Sequence, residues 1–372
     1  MKKVAILTQP LHTNYGGTLQ NYALQQVLKD LNFSVETVNC AASFESDFKK
    51  SLRELKNWVL GKRKYTFSAE EMDLVQFEHK RFISERISLS KRIKNKAELR
   101  EYFCKNDIKS IVVGSDQVWR KEYSPDIMSF FLDFETNAKK ISYAASFGVD
   151  YWQYSSEETK RIKSLLNEFH MISVREDDGV KLLSDNVQIE SNFVLDPTLL
   201  LSKKRYMELI DSSIDKKDMG IFCYMLDKNK DKLKIVEHVK NTLGMHTYEC
   251  MPKIKEKLNK EEISDISEYQ YPAIESWLES FHGSNFVITD SFHGTVFSII
   301  FNKPFITISN KERGNSRFIS LLKLLNLEYR MISKVEDITA EHFLKPDFES
   351  VNDIIKIRAD ECKKLIYMSL NG

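Results

Sequence analysis

The chain has 372 residues, 42% of them hydrophobic and 29% charged, with 55 lysines and arginines against 54 aspartates and glutamates for a net charge of +1. That composition excludes a disordered chain and a membrane-spanning bundle, and the even charge balance gives no overall attraction for nucleic acid, so any anion binding must be local. The length exceeds what one hydrophobic core usually supports and predicts two domains of about 150 to 200 residues each.

The first apolar run, residues 4–7, is too short for a signal-peptide core. Five cysteines (Cys40, Cys104, Cys223, Cys250 and Cys362) lie scattered without C-x-x-C spacing, which suits a reducing compartment and offers no thiolate metal site. The expected location is the cytoplasm.

Residues 3–8 read as a strand, Asn14-Tyr15-Gly16-Gly17 as a polar turn, and Leu19, Tyr22, Ala23, Leu24, Val27, Leu28 and Leu31 recur at helical spacing. Strand, glycine turn and helix open a doubly wound domain. Further strands are predicted at 33–38, 110–113, 141–145, 172–174 and 193–195, with a helix over 156–169, as a mainly parallel sheet requires. Between about 42 and 96 a charged, glycine-poor stretch of helical character reads as an insertion. A charged segment at 211–217 predicts the linker between a first domain, 1–210, and a second, 218–340. The second series runs strand 221–226, helix 230–242, strand 245–248, helix 274–281, strand 286–289, helix 294–301, strand 304–309 and helix 317–325. A last helix over 351–370 follows the second sheet and can cross back onto the first domain.

In open α/β sheets ligands bind beyond the carboxyl ends of the strands, so polar residues directly after an apolar run carry most weight. At 289–295, Ser291, His293, Gly294 and Thr295 stand where a strand hands over to a helix. A helix amino terminus offers unpaired N–H groups and partial positive charge to a phosphate or carboxylate. The same residues also suit a plain helix cap beside a buried histidine. Lys311, Arg313 and Arg317 follow the next strand, and Arg313-Gly314-Asn315-Ser316-Arg317 before a helix makes a second anion cradle. Asp116, Gln117 and Trp119 after the 110–113 strand combine an acid, an amide and an indole suited to a sugar ring, or to a turn with Trp119 in the core. Arg175 is a candidate anion ligand, or a structural partner of Glu176 or Asp178. Asp196 before Pro197 reads as a turn that shapes the cleft floor. Asn14 to Gly17 lets backbone approach a ligand but lacks the spacing of a dinucleotide fingerprint.

Taken in order, NYGGTLQNYAL (14–24), VVGSDQVW (112–119), SYAASFG (142–148), SVRE (173–176), VLDPTLL (194–200) and TDSFHGTVFS (289–298) resemble the bacterial polysaccharide pyruvyl transferase family. The resemblance spans about residues 3 to 330. It implies an α/β fold of two Rossmann-like domains facing across a cleft, similar to glycosyltransferases of the B type. It also implies transfer of the enolpyruvyl unit of phosphoenolpyruvate onto two hydroxyls of one sugar, leaving a cyclic pyruvate ketal and phosphate, with phosphoenolpyruvate as co-substrate and no cofactor or metal. Many members carry an arginine two positions before the motif histidine. Ser291 stands there in this chain, so Arg175, Arg313 or Arg317 must supply that charge.

On this reading His293 is the acid or a phosphate ligand, and Asp116 orients or deprotonates the acceptor. Arg175, Ser291, His293, Gly294, Thr295, Arg313, Asn315 and Arg317 form the donor side; Asn14, Tyr15, Gly16, Gly17, Gln117 and Trp119 form the acceptor side. One rival is a nucleotide-sugar glycosyltransferase of the same fold, with Tyr248, Glu249 and Tyr269 around ribose and base; a second is a two-lobed binding protein. The expected acceptor is a lipid-diphosphate-linked oligosaccharide. The basic stretch Lys49, Lys50, Arg53, Lys56, Lys62, Arg63 and Lys64 around Leu52, Leu55, Trp58, Val59 and Leu60 suits peripheral contact with the inner membrane face, or a solvated helix packed on the first domain.

Overall fold

A computed structural model describes residues 1–41, 67–124, 126–210, 219–253, 265–310 and 314–372. The first sheet is wholly parallel in the order β2-β1-β3-β4, from β1 (Lys3–Leu7), β2 (Ser34–Thr37), β3 (Ser110–Val113) and β4 (Lys139–Ser142). Single bridges from Ile141 to Met171 and from Ala145 to Val174 carry it on to the short pair β5 (Ser173–Val174) and β6 (Asn192–Phe193). The second sheet, also parallel, runs β11-β10-β9-β7-β8, from β7 (Ile221–Tyr224), β8 (Thr247–Tyr248), β9 (Phe286–Thr289), β10 (Phe305–Ile308) and β11 (Met331–Ile332).

Helices connect the strands and cover both faces, which is why central strands such as SIVV, IFCY, FVIT and FITI are buried at every position. The helix Tyr15–Asp30 starts at Asn14, whose side chain accepts a hydrogen bond from Gly17 N at 3.0 Å. The helix Phe292–Ile300 starts in the same way at Ser291.

Each sheet packs one face into a core of its own, and a third cluster joins the two domains. This third cluster holds Val4, Ile6 and Leu24 from the first, Phe222, Phe297 and Phe305 from the second, and Phe348, Cys362, Ile366 and Leu370 from the long terminal helix Phe348–Asn371. That helix lies on the first domain: Arg358 donates to the carbonyl of Phe193 at 3.1 Å, and Lys2 reaches the carbonyl of Leu370 at 3.5 Å. Both termini of the chain are thus tied to the same side.

Within the stretch expected as an insertion, residues 42–66 lie outside the described residues, and with them the whole basic segment and its membrane reading. The remainder is integral to the packing. Residues 87–93 run along the edge of the first sheet, with bridges from Thr37 to Leu89 and from Cys40 to Ile93. The helix Phe77–Arg86 buries Phe82 against Tyr22, and Arg81 pairs with Glu275 of the second domain at 2.9 Å. The 211–217 linker also falls outside the described residues.

His79, on the same helix, is buried against Tyr15 and Tyr271, with ring centroids 4.5 and 5.6 Å apart. Burial pushes its imidazole down to about 4, against partial opposition from the His12 backbone. Between roughly pH 6.5 and 4 the unfolded chain therefore takes up a proton that the folded chain refuses, and stability falls as pH falls. The expected loss is about 3 kcal/mol across that window. Urea titrations at pH 7, 5.5 and 4.5 check it, and His79→Phe should flatten the dependence; an unchanged slope in that variant removes His79 as the cause.

Candidate active site between the two domains

The carboxyl ends of the two sheets meet, and the loops beyond them build the site. After β6, Asp196 is buried and fully engaged. Its Oδ1 accepts from the backbone N (3.0 Å) and hydroxyl (2.6 Å) of Thr198, and its Oδ2 accepts from Arg175 Nη1 (2.7 Å). His293 Nε2 stands 3.5 Å from the same Oδ2, within ion-pairing reach across the domain boundary. Arg175 turns its other nitrogen to Asp116 Oδ1 at 2.8 Å.

A chain Asp116–Arg175–Asp196–His293 therefore crosses from the first domain to the second. Burial alone would raise both carboxyls, but the cationic neighbours outweigh it. His293 and Arg175 hold Asp196, and Arg175, His293 and Arg317 hold Asp116, below the usual carboxylate range.

Arg317, at the start of the helix Ser316–Leu324, is buried and shares the face of the Phe292 ring with Arg175, the guanidinium carbons lying 5.4 and 4.9 Å from its centroid. Burial first, and then the like charge of Arg175, push Arg317 down to about 10 despite Asp116 and Glu176 nearby. A cation so crowded is stabilised by any anion that enters beside it.

Two cavities adjoin here and share Asn14, Asp116, Gln117 and Tyr123. The inner one, about 70 Å³, lies between the domains and is bordered by His293, Ser291, Asp290, Tyr224 and Arg317. The outer one, about 330 Å³, belongs to the first domain and is bordered chiefly by Gln9, His12, Thr18, Gln20 and Gly17. Its walls are rich in amides and hydroxyls, with an aromatic ring from Tyr123.

Asp290 holds the second domain's half of the site together. One oxygen accepts from Leu226 N at 2.6 Å; the other accepts from Asp227 N at 3.1 Å and Lys232 Nζ at 2.5 Å. Asn310 approaches that second oxygen at 3.5 Å. The loops after β7, β9 and β10 are thereby pinned to one buried carboxylate.

Of the residues singled out from the sequence, the structure brings Asn14, Gly17, Asp116, Gln117, Ser291, His293 and Arg317 to the cavity walls. Gly16 faces His293 instead, where a Cβ would collide with the imidazole. Tyr15 is no acceptor ligand: its ring stacks on Trp277 at 5.3 Å and its hydroxyl donates to the carbonyl of Pro272, joining the domains. Trp119 is likewise core, stacked on Phe131 at 5.3 Å with its indole N–H donated to Phe130 O. Gln117 faces the cavity while accepting from Arg120 at 3.0 Å.

Arg175 does not reach either cavity, because both ends of its guanidinium are held by buried carboxylates. Its position is structural, and Arg317 is the guanidinium bordering the inner cavity. Thr295 is buried, its hydroxyl shared between Ser291 O and Thr307. Gly294 has no room for a side chain beside Thr289 and Tyr224. Asn315 holds its own loop by accepting from Asn310 N. Arg313 lies outside the described residues.

Sequence reasoning missed Asp196 as the partner of His293, together with His12, Tyr123 and Asp290. The leucine-aspartate-proline run after β6 marked Asp196 only as a turn, since nothing local tells which distant side chain it meets. The residues weighed for a nucleotide are engaged elsewhere. Tyr248 stacks on Phe222 and donates to Ser280 O, Glu249 pairs with Lys228, and Tyr269 is buried against Phe67. Among the described residues no group of three or more His, Cys, Asp or Glu could hold a metal ion, and no helix is long and apolar enough to cross a membrane.

The family model for polysaccharide pyruvyl transferase matches residues 14–312, which contain every link of the Asp116–His293 chain, while Gln9 to His12 of the outer cavity and Arg317 of the inner one lie just beyond its ends. The chain belongs to the polysaccharide pyruvyl transferase family. No curated protein gives a significant match. Solved structures extend the likeness of fold to the whole chain. S. aureus MnaA with UDP superposes at TM-score 0.53 with 12% identity, covering 98% of this chain and 95% of that one. Arabidopsis thaliana UGT89C1 gives 0.51 at 8% identity, covering 99% of each. UDP-GlcNAc 2-epimerase from Neisseria meningitidis bound to UDP-GlcNAc gives 0.50 at 11% identity, covering 100% and 99%. This pyruvyl transferase family member thus has a glycosyltransferase B-type fold, and at such identities the likeness extends to fold alone.

Proposed function

We propose that the protein transfers the enolpyruvyl group of phosphoenolpyruvate to two hydroxyls of one sugar in a polysaccharide precursor, forming a cyclic ketal and releasing phosphate. The observation that carries this reading is the pairing of the two cavities. An inner pocket with Arg317 and His293 suits a small donor bearing carboxylate and phosphate, and it opens directly onto an amide-lined space of sugar dimensions.

The reaction needs a proton at the methylene carbon of the enol phosphate, an oxocarbenium-like centre stabilised by the donor's surroundings, and attack by a sugar hydroxyl. After phosphate departs, the second hydroxyl closes the ring. His293 is the acid of this scheme, with Asp196 beside its Nε2 to accept an ion pair when the ring is protonated. Arg317 holds the donor's charge where Ser291 replaces the family's usual arginine. Ser291 itself caps the helix, its hydroxyl accepting from Gly294 N at 3.3 Å.

Incubation with phosphoenolpyruvate and a panel of galactosides, mannosides, hexosamine glycosides and a lipid-diphosphate-linked oligosaccharide tests the reading. The expected outcome is phosphate release with a matching mass gain in one acceptor. Turnover of a nucleotide sugar instead, with phosphoenolpyruvate untouched, would overturn it. Within a positive assay, Arg317→Lys is expected to raise the KM for phosphoenolpyruvate at least tenfold, because an ammonium cannot reproduce the planar fork of a guanidinium. An unchanged KM takes Arg317 out of the donor site.

A further inference from the structure

Each sugar hydroxyl that attacks the donor must lose its proton, and the side chains around the outer cavity limit what can take it. Among the described residues, the polar side chains at the wall are Gln9, Asn14, Thr18, Gln20, Gln117 and Tyr123, all neutral amides or hydroxyls that do not act as bases, together with Asp116 and His12. Asp116 has one oxygen taken by Arg175 Nη2 at 2.8 Å and is held below the usual carboxylate range, which makes it a weaker base than a free carboxylate. His12 sits on the loop between β1 and the helix Tyr15–Asp30, exposed to the cavity on the acceptor side, whereas His293 enters the inner pocket from the other domain.

We propose that His12 is the general base of the acceptor site, a catalytic residue that takes the proton from the attacking sugar hydroxyl. The role rests on the pyruvyl transfer reading above and adds to it the identity of the proton acceptor. The charged and titratable neighbours agree with it. The protein walls desolvate the ring and lower its affinity for a proton below the ordinary value of 6.5, with Asp116 opposing only in part, and buried His79 lies behind its backbone in neutral form. The imidazole of His12, less basic than a free one, is thus open to the cavity and placed to accept a proton.

The proton balance closes. As the first hydroxyl oxygen bonds to the central carbon of the donor, its proton moves to His12 and the proton of His293 moves to the methylene, which becomes the methyl group. The bond from that carbon to the phosphate oxygen then breaks. His12 returns its proton through cavity solvent to the departing phosphate, and the proton of the second hydroxyl, released as the ring closes, restores His293.

The test compares wild-type protein with His12→Ala and His12→Asn in the phosphate-release assay, with phosphoenolpyruvate binding followed by calorimetry as a check that the site is formed. We expect kcat to fall by about 100-fold or more in both variants, as loss of a general base usually gives, with donor binding unchanged. Added imidazole should restore part of the rate to His12→Ala, whose missing ring leaves space open to the cavity. Wild-type protein that consumes no phosphoenolpyruvate overturns pyruvyl transfer and this role together. With wild-type turnover established, a His12→Ala rate close to wild type, a loss that imidazole does not relieve, or full activity in His12→Asn overturns the role of His12 alone.

Discussion

His293→Ala is expected to lower pyruvyl transfer by about 100-fold to 10,000-fold, the usual consequence of removing a positioned proton donor. The imidazole is only 7% exposed, wedged between the backbone of Gly16 and the Asp196 carboxylate, with Phe292 beside it. Its removal also leaves a small void at the domain boundary, so the variant should unfold a few degrees earlier while remaining native at 25 °C. His293→Gln fills most of that void without offering a proton. Phosphate release separates chemistry from packing, and scanning fluorimetry reports the fold. If His293→Ala retains most of the wild-type rate, the histidine is only an interdomain contact and the acid lies elsewhere.

Arg175→Ala is expected to be the most destabilising single change in the site. It leaves Asp116 and Asp196, both buried, without the guanidinium that compensates them. Removing one partner of a buried pair typically costs about 3 to 5 kcal/mol, because an uncompensated charge stays in low dielectric. For domains of this size that corresponds to a fall in Tm on the order of 10 °C. Arg175→Lys keeps a charge but cannot bridge two carboxylates from one planar group, and should recover less than half of the loss. Thermal denaturation at pH 7 decides the matter; a shift of only a degree or two would mean that the two carboxylates are neutral or solvated. This result would also separate Arg175 from Arg317, whose variants should change donor binding before they change stability.

Much of the fold was legible because its signals are local. Apolar runs of four residues ending in polar turns place the central strands, and helical spacing from Leu19 onward places the first helix. The family motifs lie at the carboxyl ends of those strands, so the place of the cavities, with His293 and Asp116 at their walls, could be read directly. Short strands such as β8 and β11 have only two residues each and little pattern to detect. Residues 67–93 carry a charged composition, and only their packing reveals that Phe82, His79 and the Leu89 and Ile93 bridges belong to the core.

The sequence by itself determined two parallel α/β units, a family, and a histidine at a strand-to-helix junction, because each depends on residues adjacent in the chain. Tertiary structure alone decided which polar residues face the cleft. Arg175, 21 residues before Asp196 and 59 after Asp116, is neutralised by both, and so passes from candidate donor ligand to scaffold. Tyr15 and Trp119 carry the chemistry of sugar binding, yet Trp277 and Phe131 stack against them and turn them into core. His12 attracts no notice in the sequence and gains its place because the loop after β1 bends over the same cavity as Asp116. The reason is common to all of these: a charge or a ring acts according to what surrounds it in space, and those surroundings come from segments far apart in the chain.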